Sequence, residues 1–227
     1  MNPSQKETGG SLDRSIAAVV AGQATGTGRR GRKSAETRLR LFRCALKLFA
    51  ERGFPSVTVE EITEAADVGK GTFFNYFETK DHVLGVMAEI QVARILGCAA
   101  AIAQGERPVR SVLRGLALEL AEEPGRSPEL ARAAISAFLA SAVVRELVSG
   151  RMVAGRRAIA EYVEQGQRRG EIDARLNKEA VAVQFQQALM GTMLLWSLDG
   201  QPSLAARVEE SFEHFWRAVA SASGGRA

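Results

Sequence analysis

The stretch ADVGKGTFFNYFETK, residues 66–80, combines small, basic and aromatic residues at a spacing that suits binding chemistry. Its Gly-Lys-Gly-Thr run has part of the composition of a phosphate-binding loop, and four of the next five residues are aromatic. Aromatic residues make up only 6% of the chain, so this density is unusual. Three roles are open for the stretch: a nucleotide-binding loop, a piece of core, or a surface that contacts a partner.

Neither glycine motif in the sequence has the context of a nucleotide site. A P-loop places Ser or Thr directly after Gly-Lys, and Gly71 occupies that position. The Gly26–Gly31 motif has the form G-x-G-x-x-G, but a dinucleotide fingerprint needs a strand that ends at its first glycine. Several residues separate Gly26 from the apolar run before it, and no later alternation of strands and helices continues a parallel sheet. An enzyme with a nucleotide cofactor is therefore the less favoured alternative.

The composition argues against several other classes of function. The two cysteines, Cys44 and Cys98, form no disulfide framework, and His82 and His214 are too far apart in sequence to suggest a zinc site. No apolar run approaches the roughly 20 residues of a membrane helix. We therefore expect a cytoplasmic protein without a metal, a cofactor, catalytic residues or a membrane partner.

Basic residues are concentrated near the N-terminus. Nine basic and two acidic residues lie between Arg29 and Arg52, whereas the whole chain has a net charge of only +4. The remainder is slightly acidic, and this asymmetry predicts a polyanionic partner. Residues 1–33, rich in glycine, serine and charge, are predicted to form a disordered basic arm. The basic residues at 29–33 suit the minor groove of DNA or nonspecific attraction, and a purely solvated tail is the alternative.

The hydrophobic pattern predicts an all-α protein. Apolar residues recur at helical spacing, and no stretch after residue 60 alternates as a strand does. Gly53 should end the first helix as a C′ residue, and Thr58-x-x-Glu61 is a capping box that begins the second. Thr79 is expected to cap the fourth helix. The predicted spans are 34–52, 58–66, 70–76, 80–104, 108–122, 128–148, 151–169, 177–198 and 203–221.

The first three predicted helices form a helix-turn-helix pattern preceded by basic residues. The segment TRLRLFRCALKLFAERGFPSVTVEEITEAADVGKGTFFNYFETKDHVL, residues 37–84, closely resembles the N-terminal DNA-binding domain of the TetR family of transcriptional regulators. The matching features are Ala-x-x-Leu-Phe-x-x-x-Gly-Phe, Thr-Val-x-x-Ile and Gly-Thr-Phe-x-x-Tyr-Phe-x-x-Lys. The resemblance implies a helix-turn-helix DNA-binding domain at 34–79 and a larger helical domain at 80–227 for effector binding and dimerisation.

The resemblance places a DNA-reading face on the third helix. Phe73 and Phe77, four positions apart, would anchor this short helix from behind. Lys70, Gly71 and Thr72 would meet bases and the nearest phosphates of double-stranded DNA, with Lys70 reading guanine. The other residues expected on or near the DNA are Phe74, Asn75, Tyr76, Lys80, Thr58 and Arg38.

The larger domain is expected, by the same resemblance, to bind an unknown small-molecule effector and to form a homodimer. Candidate effector residues combine apolar surface with a few polar atoms: Met87, Gln91, Phe138, Met152, Tyr162 and Gln184. Candidate dimer contacts, with monomer core as an equal alternative, are Leu189, Met193, Trp196, Phe212, Phe215 and Trp216. The implied function is a ligand-responsive dimeric repressor that an effector releases from a pseudo-palindromic operator. A constitutive DNA-binding dimer and an activator remain alternatives.

Overall fold

The computed structural model describes residues 29–105 and 107–222, and within them the fold is all-α, as the sequence predicts. The β-structure of this described part is limited to one isolated bridge between Ile172 and Ala220. Two short 3₁₀ turns, Phe54–Ser56 and Pro124–Arg126, lie between helices. The α-helices are α1 (Arg29–Arg52), α2 (Val59–Ala65), α3 (Lys70–Phe74), α4 (Asp81–Gly97), α5 (Ala99–Gln104), α6 (Val109–Glu122), α7 (Pro128–Ala140), α8 (Ala142–Arg168), α9 (Lys178–Asp199) and α10 (Leu204–Val219).

The first helix is longer than predicted. α1 begins at Arg29, so residues 29–33 are helical and do not belong to a disordered arm. Gly31 is the sole breaker between Arg29 and Ser34, and one helical glycine costs only about 1 kcal/mol. The prediction for residues 1–28 lies outside the described residues, as does most of the Gly26–Gly31 motif. The predicted stop is confirmed, because Gly53 follows α1 with a φ of 77° that favours glycine.

Helices α2 and α3 form the predicted helix-turn-helix. The capping box is present: the Thr58 hydroxyl accepts from the Glu61 amide at 3.3 Å, and the Glu61 carboxylate accepts from the Thr58 amide at 2.8 Å. In the turn, Asp67 adopts a φ of 49°, a conformation that Asp tolerates better than most residues. Gly69 is the N-cap of α3, which ends at Phe74, two residues before the predicted end.

The largest departure from the predicted helices lies between α7 and α8. The sequence predicts a break at Gly150, but α8 runs through that residue. The break occurs at Ser141, whose hydroxyl accepts from the Val144 amide at 3.2 Å and donates to the Asp81 carboxylate at 2.6 Å. The cost of one glycine, about 1 kcal/mol, is too small to end a helix of 27 residues that packs along α4.

The predicted helix at 80–104 is divided at Cys98 into α4 and α5. Contrary to the sequence-based expectation, the stretch Asp81–Gln104 meets the length and composition of a membrane span, with a mean hydropathy of 1.6 over 18 residues. Core helices of globular proteins meet the same criteria, and α4 packs along α8 here. It also buries Arg94, which donates to the Glu119 carbonyl and pairs with Glu122 at 3.4 Å. We therefore assign the buried face of α4 to the protein core.

Buried side chains of the described residues form two hydrophobic clusters. The N-terminal cluster comprises the cores of α1–α3 together with the first half of α4, one side of α7 and the start of α8. The C-terminal cluster joins the end of α4 and α5 to α6, the middle of α8, α9 and α10. Helix α4 contributes residues from Val83 to Ile90 to the first cluster and Ile95 to the second, so it connects the two.

Candidate DNA-binding face and effector cavity

Aromatic rings hold the short helix α3 from its inner side. Phe73 and Phe77 are 0% and 2% exposed, and their ring centroids lie 5.3 Å apart. This confirms that both residues face inward. A helix of five residues does not persist alone in water, so this packing is what keeps α3 folded. The aromatic cluster is thus core on one side, while Phe74, 49% exposed, lies on the other.

The outer side of α3 carries five of the predicted DNA-binding residues. Lys70, Gly71, Phe74 and Asn75 are exposed, and Thr72 is half-buried. A Cβ added at Gly71 would meet no atom within 4 Å, so the fold itself does not require glycine there. The absence of a side chain instead lets another molecule approach the backbone closely.

Lys70 is paired with Glu60 of α2. The hydrogen bond from Lys70 lowers the pKa of the Glu60 carboxyl. Both side chains are more than half exposed, and solvent screening makes exposed pairs of this kind weak. A phosphate or a guanine can therefore replace Glu60 at small cost. Sequence reasoning missed this competitor because ten positions separate the two residues.

Lys80 is engaged within the protein's own turn. It occupies the N-cap position of α4, which the sequence analysis assigned to Thr79. Its Nζ donates to the carbonyls of Phe54, Pro55 and Val57 at 2.9, 3.1 and 2.8 Å, and lies 4.8 Å from the Phe54 ring centroid. An ammonium group has three hydrogens to donate, and all are used here. We therefore revise Lys80 from a phosphate contact to a residue that positions the turn between α1 and α2.

Three other predicted DNA contacts also have partners inside the protein. The Tyr76 hydroxyl lies 3.1 Å from the Ser34 hydroxyl, which ties the end of the motif to α1. The Thr58 hydroxyl and amide are both used in the capping box. Arg38 is 4% exposed, with its guanidinium 5.5 Å from the Phe77 ring centroid, so it lies behind the DNA-binding face and supports it.

A second candidate site is a cavity of about 450 Å³ where the two clusters meet. Met87 and Val144 of the N-terminal cluster line it, and so do Ile95 and Ile159 of the C-terminal cluster. The volume falls within the range of small-molecule sites, roughly 300–1,000 Å³. Four of the six predicted effector residues line the cavity: Met87, Gln91, Phe138 and Met152.

The other two predicted effector residues lie elsewhere. Tyr162 is 4% exposed in the C-terminal cluster, and its hydroxyl donates to the Ile95 carbonyl at 2.6 Å. Burial raises the pKa of Tyr162 to about 12. Gln184 is exposed on α9, whereas Gln186, two positions later, lines the cavity. We therefore replace Tyr162 and Gln184 as effector contacts, because one is core and the other is surface.

Few polar groups interrupt the apolar cavity wall. Gln91 donates to the Leu120 carbonyl at 3.0 Å, which fixes the orientation of its amide. Its buried Oε1 has no hydrogen-bond partner among the described residues. The charged lining residues are Arg151 and Arg156, both on α8. The described residues hold no cluster of three or more potential metal ligands.

Comparison with known proteins identifies the family. Residues 41–87 match the family model for bacterial regulatory proteins of the tetR family. The regulator TcmR of Streptomyces glaucescens is 47% identical over 58 residues, and the match spans 26% of each chain. EthR of Mycolicibacterium smegmatis is 25% identical over 195 residues, which span 82% of this chain and 89% of EthR. Residues 41–87 therefore form a DNA-binding domain of the TetR family, and the chain as a whole resembles TetR-family regulators.

The larger domain also has a solved relative. Thermus thermophilus FadR, a TetR-family transcriptional repressor in complex with lauroyl-CoA, is 28% identical with a TM-score of 0.56. The match covers 78% of this chain and 92% of FadR. This chain is a DNA-binding transcriptional regulator and not an enzyme, since the TetR-family proteins it resembles are all transcriptional regulators. The nucleotide-cofactor reading of the Gly26–Gly31 motif is therefore set aside.

Most of the predicted dimer contacts lie inside one chain. Four aromatic residues are at most 9% exposed and pack within the C-terminal cluster: Trp196, Phe212, Phe215 and Trp216. Leu189 and Met193 are half-buried and line the cavity. We therefore revise all six from dimer contacts to core or cavity residues. The apolar residues that α9 exposes are Val183, Met190, Leu194, Leu195 and Leu198.

Sequence reasoning also missed part of the cavity lining on α8. Met152, Arg156 and Ile159 recur at spacings of four and three, which places them on one face of the helix. That spacing was a usable signal for Arg156. Arg151 has a similar signal, because it lies three positions after Val148 and four before Gly155, whereas its pairing with Glu89 on another helix has none.

Proposed function

We propose that this chain is a dimeric, ligand-responsive repressor of the cytoplasm that reads a pseudo-palindromic operator through α3. An effector in the cavity releases it from the DNA. The observation that supports this most strongly is the path of α4. This helix begins beside the turn that Lys80 holds and carries Met87 and Gln91 into the cavity wall. One helix thus touches both the DNA-binding unit and the effector site.

The mechanism is a shift between two populations of the dimer. The cavity wall is shared by the two clusters, so a ligand that fills it changes how α4 packs between them. A ligand that binds one arrangement better than the other shifts the equilibrium by that difference in affinity. The released arrangement would have its α3 helices wrongly spaced for the operator. The lauroyl-CoA complex of Thermus thermophilus FadR supports ligand binding within the family.

The proposed dimer contact is the apolar strip that α9 exposes. Val183, Met190, Leu194 and Leu198 recur at successive spacings of seven, four and four, so they share one face of the helix. Gly191 lies beside this strip, and a Cβ there would meet no atom within 4 Å of the single chain. Met190, Gly191 and Leu194 also line the cavity, so the strip borders it; unlike half-buried Leu189 and Met193, the side chains of Met190 and Leu194 are exposed. A second copy packed on the strip by a two-fold axis would give half-sites about 34–36 Å apart.

Selection of bound duplexes from a random DNA pool tests this function. The expected result is one enriched sequence with two-fold symmetry, bound by a protein of dimeric mass. No enrichment by folded, dimeric protein would contradict α3 as a sequence reader. A constitutive DNA-binding dimer would give the same enriched sequence, but no compound that stabilises the protein would then release the DNA.

A further inference from the structure

The two arginines that line the cavity differ in how their charges are balanced. Arg151 forms an ion pair with Glu89 and donates to the Leu147 carbonyl. Arg156 is half-buried and donates to the side-chain oxygen of Gln186 at 2.8 Å. No Asp or Glu of residues 29–105 and 107–222 lies within the 4.0 Å of an ion pair with Arg156.

The charge on Arg156 is therefore left uncompensated beside an apolar cavity. A neutral amide oxygen satisfies one hydrogen bond but does not balance the charge. Guanidinium groups bind carboxylates and similar anions through two parallel hydrogen bonds, which are stronger than those to neutral acceptors. An apolar cavity screens charges less than water does, so the attraction between the guanidinium and an anion is stronger there. An anion inside the cavity would gain this interaction, and Gln186 could turn away without leaving a charge unpaired.

We propose that the cavity takes an amphipathic anion, with its acidic headgroup on Arg156 and its apolar body against the walls. This inference rests on the proposed function, in which the cavity holds the effector. Apolar side chains such as Ile135, Phe138 and Met152 line the space for the body of the ligand. Arg151, already neutralised by Glu89, does not supply the headgroup site.

Three probes with one alkyl chain and different headgroups test the proposal: decanoate, 1-decanol and decylamine. Isothermal titration calorimetry should show wild-type protein binding decanoate about tenfold or more tighter than 1-decanol, because the carboxylate gains charge-assisted hydrogen bonds. Protonated decylamine should bind most weakly. Arg156→Gln should remove the preference for decanoate and leave the affinity for 1-decanol unchanged.

Arg157→Gln is the matched control, since Arg157 is the next residue, is exposed and does not line the cavity. It removes the same charge and should keep the preference for decanoate. Arg156→Lys retains the positive charge without the planar fork and should keep part of the preference. It also provides a second variant if Arg156→Gln fails to fold.

The outcomes separate this inference from the proposed function. Equal affinity of wild-type protein for decanoate and 1-decanol, or an unchanged preference in Arg156→Gln, overturns the headgroup role. Loss of dimeric mass in Arg156→Gln would also overturn it, because Arg156 would then serve a contact between copies. Binding of 1-decanol in these cases leaves the cavity as an effector site. Failure of every probe to bind folded protein contradicts both the headgroup role and the effector cavity.

Discussion

The N-terminal and C-terminal clusters are packed for different tasks. Beneath α3 the N-terminal cluster is filled by large rings, and Phe42, Phe49, Phe73 and Phe77 are at most 2% exposed. The C-terminal cluster stacks the rings of Phe212 and Trp216 on α10 and borders the cavity through Ile95, Ile159 and Phe185. A filled cluster holds a reading surface in one shape, whereas space beside a cluster allows a ligand to change its packing. The contrast separates the part of the protein that reads DNA from the part that changes its packing when a ligand binds.

The largest expected effect is on the filled side. Phe73→Ala should lower the free energy of unfolding by about 3–5 kcal/mol, because it removes a fully buried ring, and should abolish specific DNA binding. Urea denaturation and fluorescence anisotropy with the selected duplex measure the two effects. Phe74→Ala is the control and should change stability by no more than about 0.5 kcal/mol. Equal stability of the two variants would show that α3 does not depend on its inner rings.

Variants of the two lysines in the DNA-binding unit should affect different properties: one should lower stability and the other should weaken the recognition of DNA sequence. Lys80→Met loses three hydrogen bonds from a charged donor to carbonyls and should cost roughly 2–3 kcal/mol of stability. Lys70→Ala should leave stability nearly unchanged and cost about 1–3 kcal/mol of discrimination at one base position. Thermal melts and affinities for single-base variants of the operator measure these effects. Equal losses on specific and random DNA for Lys70→Ala would exclude base reading.

A glycine in the C-terminal cluster tests how tightly that cluster is packed. A Cβ at Gly166 would lie 2.7 Å from Ile172 Cδ1 and 3.4 Å from Val109 Cγ1. Gly166→Ala should therefore destabilise the protein by about 1–3 kcal/mol through overpacking. Gly115→Ala is the control, because a Cβ there meets nothing within 4 Å, and it should stabilise α6 by up to about 1 kcal/mol. A similar increase in the free energy of unfolding for both variants would contradict tight packing around Gly166, because Ile172 and Val109 would then have moved to make room for the added methyl group.

Small stability effects are expected at Gly71 and Gly191, where a Cβ meets no atom of the chain within 4 Å. Alanine should raise the free energy of unfolding by up to about 1 kcal/mol at each position, because helical glycine is entropically costly. Gly71→Ala should weaken DNA binding without affecting dimerisation, and Gly191→Ala should weaken the dimer. Anisotropy and analytical ultracentrifugation distinguish the two. If Gly71→Ala bound DNA as tightly as the wild-type protein, close approach of the DNA to the backbone at Gly71 would be contradicted.

Features set by local interactions could be predicted from the sequence. The Thr58–Glu61 capping box, the glycine stop at Gly53 and the left-handed Asp67 involve neighbours in the chain. The inward rings of Phe73 and Phe77 follow from their spacing of four. The start of α1 was missed because helix formers continue upstream of Ser34 without a strong breaker.

Features set by tertiary contacts could not be predicted. A lysine that begins a helix beside a DNA-binding motif suits a phosphate contact, but the carbonyls that hold Lys80 lie 23 to 26 positions away. Apolar spacing on α10 fits both core and dimer contact, and only packing places Phe212 and Trp216 inside the chain. Arg151 has a carboxylate partner, Glu89, whereas Arg156 has none among the described residues. This difference makes Arg156 a candidate anion site, and the spacing of residues in the sequence does not reveal it.

The most direct test of the account is the operator affinity of a variant whose cavity is filled by its own side chain. Ala134 is half-buried on α7, lines the cavity and packs against the N-terminal cluster. Ala134→Phe, checked for an unchanged melting temperature and for loss of 1-decanol binding, should raise the Kd for the selected duplex about tenfold, a typical allosteric coupling. An unchanged Kd with the cavity filled would contradict control of DNA binding from the space between the two clusters.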